Sequence, residues 1–114
     1  MRILKSIKYA LDGLKDALMY EKNFRIFVVV AGLVIAAMVY FPTTTIEKLI
    51  LIVTIFMLLA LELINSVIER IMDFIQMEHH QTIKEVKDIM AFIVLLASVG
   101  AAIVGVIIFW PYLF

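Results

Sequence analysis

Three stretches of this chain carry no charged residue over helical lengths: Ile26 to Phe41, Leu49 to Leu61, and Ile89 to Trp110. Crossing a hydrocarbon core about 30 Å thick takes roughly 20 residues of α-helix. Only helices and closed barrels satisfy their own backbone polar groups in that medium. The third stretch is long enough by itself and runs up to Pro111. The first reaches the required length by borrowing Phe24 with a snorkelling Arg25, and the second by borrowing residues on either side. The pattern therefore predicts spans over about 24–41, 46–66 and 89–110, in one unit covering 1–114 with no linker or internal repeat. At 65% hydrophobic and 18% charged, a water-soluble domain of 114 residues has too little interior for its apolar side chains.

Ahead of the spans, Ile3, Ile7, Ala10, Leu11, Leu14 and Leu18 recur at helical spacing, while Arg2, Lys5, Lys8, Asp12 and Lys15 occupy the other side. This predicts an amphipathic helix over about 1–22 lying in the membrane interface. Thr44 and Glu47 have the spacing of a capping box, which starts the second span near Thr45 after a tight turn through Phe41, Pro42 and Thr43. Nine of the Lys and Arg residues flank the ends that carry Lys22, Arg70 and Lys87, and only Lys48 falls on the opposite side. By the positive-inside rule the N-terminus is then cytoplasmic and the C-terminus outside. A net charge of zero gives no reason to expect nucleic acid as a partner, and the absence of cysteine removes disulfides and thiolate-held metals. No secretory signal is expected.

The second span breaks its own apolar pattern. Glu62, Asn65, Ser66, Glu69 and Asp73 recur at spacings of three and four. At about 100° per residue they fall within an arc of roughly 100°. A charged group at membrane depth costs roughly 2.5 to 3.5 kcal/mol on insertion scales, so aligned carboxylates point to use. A helix starting near Thr45 and rising about 1.5 Å per residue brings Glu62 roughly 26 Å along, at the inner edge of the hydrocarbon core. Glu69 and Asp73 lie beyond it, and Glu21, Lys87 and Asp88 enter the same layer from the other helices. Carboxylates so placed can hold Mg²⁺ together with nucleotide phosphates. A lysine can neutralise transferred charge, and a carboxylate left off the metal can take a proton from a hydroxyl. Those are the parts of phosphoryl transfer to a membrane lipid. On the residues alone, a small ion channel or transporter and a structural or regulatory membrane peptide stay open as well. No glycine-rich phosphate loop and no protein-kinase signature occurs.

The run Glu62-Leu-Ile-Asn65-Ser-Val-Ile-Glu69-Arg-Ile-Met-Asp73, then Glu78-His79-His80 and Lys87-Asp88, resembles the small prokaryotic lipid kinase family that includes diacylglycerol kinase and undecaprenol kinase. Tyr9-Ala-Leu-Asp-Gly13-Leu and Glu21-Lys-Asn-Phe-Arg25 are similar to that family's N-terminal elements. The resemblance implies an all-α membrane protein of the bacterial inner membrane, a homotrimer whose subunits each carry a surface helix and three transmembrane helices, with active sites shared between neighbours. It implies Glu62 as the base that activates the lipid hydroxyl, and Glu21 and Glu69 as holders of the Mg²⁺ of MgATP. Asn65 would orient the carboxylates. Arg2, Tyr9, Asp73, Glu78, His79, His80, Lys87 and Asp88 would complete the nucleotide side. Ile89, Met90 and Phe92 stand where the family usually has small residues, and Glu78-His79-His80 replaces the commoner Glu-Tyr-His. Asn23-Phe24-Arg25-Ile26 and Ile107-Ile-Phe-Trp-Pro111 look more like the undecaprenol kinase branch, so undecaprenol is expected as acceptor ahead of diacylglycerol.

Three further features are read as structural. His79 and His80 are adjacent and lack the i, i+4 spacing of a zinc pair. Ala97, Ala101 and Gly105 make a small-residue stripe expected to be a helix-packing face. Trp110 and Tyr112 read as an interfacial anchor.

Overall fold

The computed structural model describes residues 1–75 and 81–114, and within them every element is helical: α1 (Arg2–Tyr20), α2 (Lys22–Tyr40), α3 (Thr45–Ile75) and α4 (Gln81–Leu113). The last three are long and apolar enough to cross a membrane. An amphipathic helix followed by three spans is thus the architecture the apolar pattern predicts.

The break between α1 and α2 falls at Glu21, whose backbone is extended. Helix ends leave carbonyls without intrahelical donors. Arg25 supplies them here, its Nη1 donating to Leu18 O at 3.0 Å and Met19 O at 2.9 Å. The side chain expected to snorkel is exposed and turns back onto the end of α1. Only Ala17 of α1 is buried, and the apolar face bearing Ile3, Ile7, Leu11 and Leu14 is exposed. That face is what an interfacial helix offers to lipid.

The turn into α3 is built as its sequence predicts. Thr44 N donates to Glu47 Oε1 at 2.9 Å while Glu47 N donates to Thr44 Oγ1 at 3.1 Å, a reciprocal capping box. Thr43, buried, closes the end of α2 by donating from Oγ1 to Met38 O at 2.8 Å. Beneath this hairpin lies a small core of Met38, Leu51 and Ile108, flanked by Val34, Val104 and Phe109. Tyr112 is more than the expected anchor. Its ring stacks on Phe41 at 5.9 Å between centroids, and its hydroxyl donates to Glu47 Oε1 at 2.5 Å, tying α4 to the start of α3. Trp110 stays exposed, against Phe114.

Two details differ from the expectations. α4 continues through Pro111 to Leu113 rather than ending at the proline. So close to a C-terminus the missing N–H removes one hydrogen bond and leaves the rest of the helix intact. The small-residue stripe does not form a close seam within the chain. A Cβ at Gly105 would meet nothing within 4 Å, and Ala101 and Gly105 line a cavity of about 300 Å³ between α2, α3 and α4. Leu51, Ile55 and Leu58 form its α3 wall, at the helical spacing that leads to Glu62.

The chain is open. Its radius of gyration is 17.1 Å, against about 13 Å for a compact globule of this length, and its extents are 53 × 42 × 20 Å. Large apolar side chains stand exposed along every helix, as expected of helices that meet lipid rather than water.

Candidate functional site

The polar stripe of α3 faces inward at its centre and outward at its end. Glu62 is 2% exposed, Asn65 6% and Ser66 5%, whereas Glu69 and Asp73 are exposed. The residues share one helical face, and its burial ends before Glu69. Asn65 links the two levels, its Nδ2 donating to Glu69 Oε1 at 3.4 Å. Its Oδ1 is the one buried side-chain acceptor without a partner among the described residues. A buried carbonyl left unpaired costs about 1 to 3 kcal/mol, so this atom marks a place where a donor or a cation is wanted.

Glu21 reaches the stripe from the α1–α2 break. It is half-buried, and the carboxylates of Glu21 and Glu69 both lie near enough to act electrostatically on Glu62. Glu21 has a partner of its own. Arg70 donates to Glu21 Oε1 from Nε at 2.8 Å and from Nη2 at 2.5 Å. Arg70, which the sequence reading did not place among the candidate residues, is thereby brought up against one of them. Its signal was present: apart from Lys48 it is the only cation on an otherwise apolar and acidic helix, and it directly follows Glu69.

From α4, Lys87 crosses to Asp73 and forms an ion pair with it. Asp88, the other half of the predicted Lys-Asp element, is exposed and pairs with Lys84 on its own helix at 2.7 Å. Two consecutive residues point about 100° apart on a helix, so one faces α3 and the other does not. The bulky residues that follow divide similarly. Met90 is buried, while Ile89 and Phe92 face outward.

The structure therefore gathers Glu62, Asn65, Glu69, Asp73, Glu21 and Lys87 at one end of the bundle. Arg2 and Tyr9 lie exposed along α1, with no described contact to that group. Glu78, His79 and His80 lie outside the described residues. Among the described residues no three His, Cys, Asp or Glu side chains converge as a preformed metal cluster. The donors on hand are carboxylate oxygens and the unpaired amide oxygen of Asn65, an all-oxygen set that suits a hard divalent cation such as Mg²⁺.

Comparison with known proteins adds to this geometry. A family model described as prokaryotic diacylglycerol kinase matches residues 8–109. The diacylglycerol kinase of Helicobacter pylori (strain J99) is 36% identical over 112 residues, covering 98% of this chain and 80% of that protein. The diacylglycerol kinase of Escherichia coli (strain K12) is 30% identical over 111 residues, covering 97% of this chain and 91% of that protein. The undecaprenol kinase of Bacillus subtilis (strain 168) is 32% identical over 112 residues, covering 98% of this chain and 91% of that protein.

Proposed function

This chain belongs to the prokaryotic diacylglycerol kinase family, whose members are membrane lipid kinases, and from that premise we propose that it transfers the γ-phosphate of ATP to the hydroxyl of undecaprenol. The observation that carries the reading is Glu62, a carboxylate buried beside Asn65 on an apolar helix. As base, Glu62 takes the proton of the lipid hydroxyl. The freed oxygen bonds to the γ-phosphorus, the bond between that phosphorus and the β,γ-bridging oxygen breaks, and ADP departs with the electron pair. Glu69 and Glu21 hold Mg²⁺, which when bound neutralises charge on the phosphates. Asn65 fixes Glu69 through its amide N–H, and its buried Oδ1 is left free to accept. Lys87, held at the site by Asp73, offers a cation to the transferred group.

The apolar cavity along Leu51, Ile55 and Leu58 begins one helical turn from Glu62 and gives a lipid tail a seat leading from the base into the bilayer. The distribution of Lys and Arg supports a site at the cytoplasmic face of the bacterial inner membrane, with the N-terminus inside and the C-terminus outside. The open shape and the exposed Glu69 support an oligomer, a homotrimer in this reading, in which a neighbour closes the nucleotide side. Diacylglycerol is the second reading for the acceptor, favoured by the identity to the Helicobacter pylori enzyme. Purified protein given labelled ATP, Mg²⁺ and both lipids side by side in micelles should make undecaprenyl phosphate faster. Faster phosphatidic acid reverses the acceptor assignment, and no labelled lipid from either overturns the kinase reading.

A further inference from the structure

Arg70 sits about 80° around α3 from Glu62, on the flank of the acidic stripe. Its fork closes on Glu21 with both donors on one carboxylate oxygen, Oε1, leaving Oε2 outside the pair. The Arg70 side chain is 56% exposed while that of Glu21 is 20% exposed. The carboxylate is thus held in the site by a cation that is itself free to swing. The neighbouring charges sharpen the point. Asp73 has Lys87 and Asp88 has Lys84, but Glu62 and Glu69 have no cation of their own among the described residues. A site so acidic needs positive charge when empty, and needs it elsewhere once a divalent cation arrives with a polyanion.

We propose that Arg70 is a positioning residue with two alternating partners: it holds Glu21 while the site lacks a metal, yields that carboxylate to the divalent cation, and turns its guanidinium to the nucleotide polyphosphate. The inference rests on the reading of Glu21 as a cation ligand. A guanidinium suits both partners, because its planar fork matches carboxylate and phosphate alike. The exchange is thermodynamic competition: whatever Arg70 gains from Glu21 in the empty site, the metal must displace. Once displaced, Arg70 has lost its carboxylate partner, and a triphosphate offers its fork new acceptors.

The test is Mn²⁺ titration without nucleotide, read by electron paramagnetic resonance on the full chain in micelles, joined to steady-state kinetics in MgATP. For Arg70→Gln, Mn²⁺ should bind about two- to fivefold more tightly, the size expected for an ion pair as exposed as this one. In the same variant the KM for MgATP should rise about tenfold with a smaller change in kcat. Opposite signs in the two measurements are what a merely structural tie would not produce. Arg70→Lys retains the charge without the fork. It should keep Mn²⁺ affinity within about twofold of the parent and recover part of the MgATP affinity. Glu21→Gln separates the layers of inference. If it weakens Mn²⁺ binding while Arg70→Gln leaves that binding unchanged or weaker, the exchange is overturned and the metal assignment stands. If Glu21→Gln binds Mn²⁺ as the parent does, Glu21 is not a ligand and both fall.

Discussion

Replacing Glu62 by Gln isolates one chemical property at a site whose geometry is otherwise kept. The side chain is 2% exposed, so the variant must fit the existing space, and Gln does so within an atom. It can also donate to the unpaired Asn65 Oδ1, a bond that Glu in its carboxylate form cannot make. Replacing an ionisable group at the edge of the hydrocarbon core by a neutral one removes part of its burial cost, so folding should be unharmed or improved. Catalysis should move the other way, because loss of a general base costs about 10² to 10⁴ in rate. That is about 2.7 to 5.4 kcal/mol of barrier at 1.36 kcal/mol per decade. The assay is turnover at saturating MgATP and lipid, with nucleotide affinity by calorimetry and thermal unfolding in the same micelles. The expected result is a fall of at least a hundredfold with nucleotide affinity within about twofold and no loss of thermal stability. A variant that retains more than a tenth of parental turnover refutes Glu62 as base. One that loses turnover only because it no longer binds nucleotide moves Glu62 to the binding surface.

Other consequences are accessible by mutagenesis. Tyr112→Phe removes the donor to Glu47 about 22 Å along α3 from Glu62, and should lower the unfolding temperature while leaving kcat and KM unchanged. Thr44→Ala breaks the capping box and should cost about 1 kcal/mol in the same unfolding assay, again without an effect on turnover. Asn65→Leu removes both the bond to Glu69 and the unpaired acceptor. It should raise the Mg²⁺ concentration needed for half-maximal activity, and an unchanged Mg²⁺ dependence would remove Asn65 from the metal side. If neighbouring subunits share each site, inactive Glu69 and Lys87 variants exchanged through denaturant and co-reconstituted should regain part of the activity. Mixed oligomers that demonstrably form yet stay inactive in every pairing of Glu21, Glu62, Glu69 and Lys87 variants would put each site within one subunit.

What was legible in the sequence was whatever depends on one helix alone. Charge-free runs located α2, α3 and α4, the 3.6-residue period aligned Glu62 with Asn65 and Glu69, and the Thr44–Glu47 box started α3 at Thr45. Contacts between helices were not legible in the same way, since they depend on how each helix is rotated about its axis. Glu21 and Arg70 lie 49 positions apart, and Glu47 and Tyr112 lie 65 apart. Nothing in local spacing pairs them. The Lys87-Asp88 element shows the same boundary: adjacency suggested one shared role, whereas helical geometry sends Lys87 to Asp73 and Asp88 to Lys84. Arg25 closing α1 was hidden for a different reason, because a snorkelling arginine and a capping arginine are the same residue until the preceding helix is seen to end at Tyr20.

The central claim, that the stripe on α3 performs phosphoryl transfer and is not an ion path, is tested most directly in one preparation of proteoliposomes measured twice. Lipid phosphorylation from labelled ATP and ion flux without ATP are recorded for the parent and for Glu69→Gln. The account predicts Mg²⁺-dependent lipid phosphorylation that falls in the variant, with no flux above protein-free vesicles in either. Steady ATP-independent conductance abolished by Glu69→Gln, with no phosphorylated lipid from the parent, would contradict it.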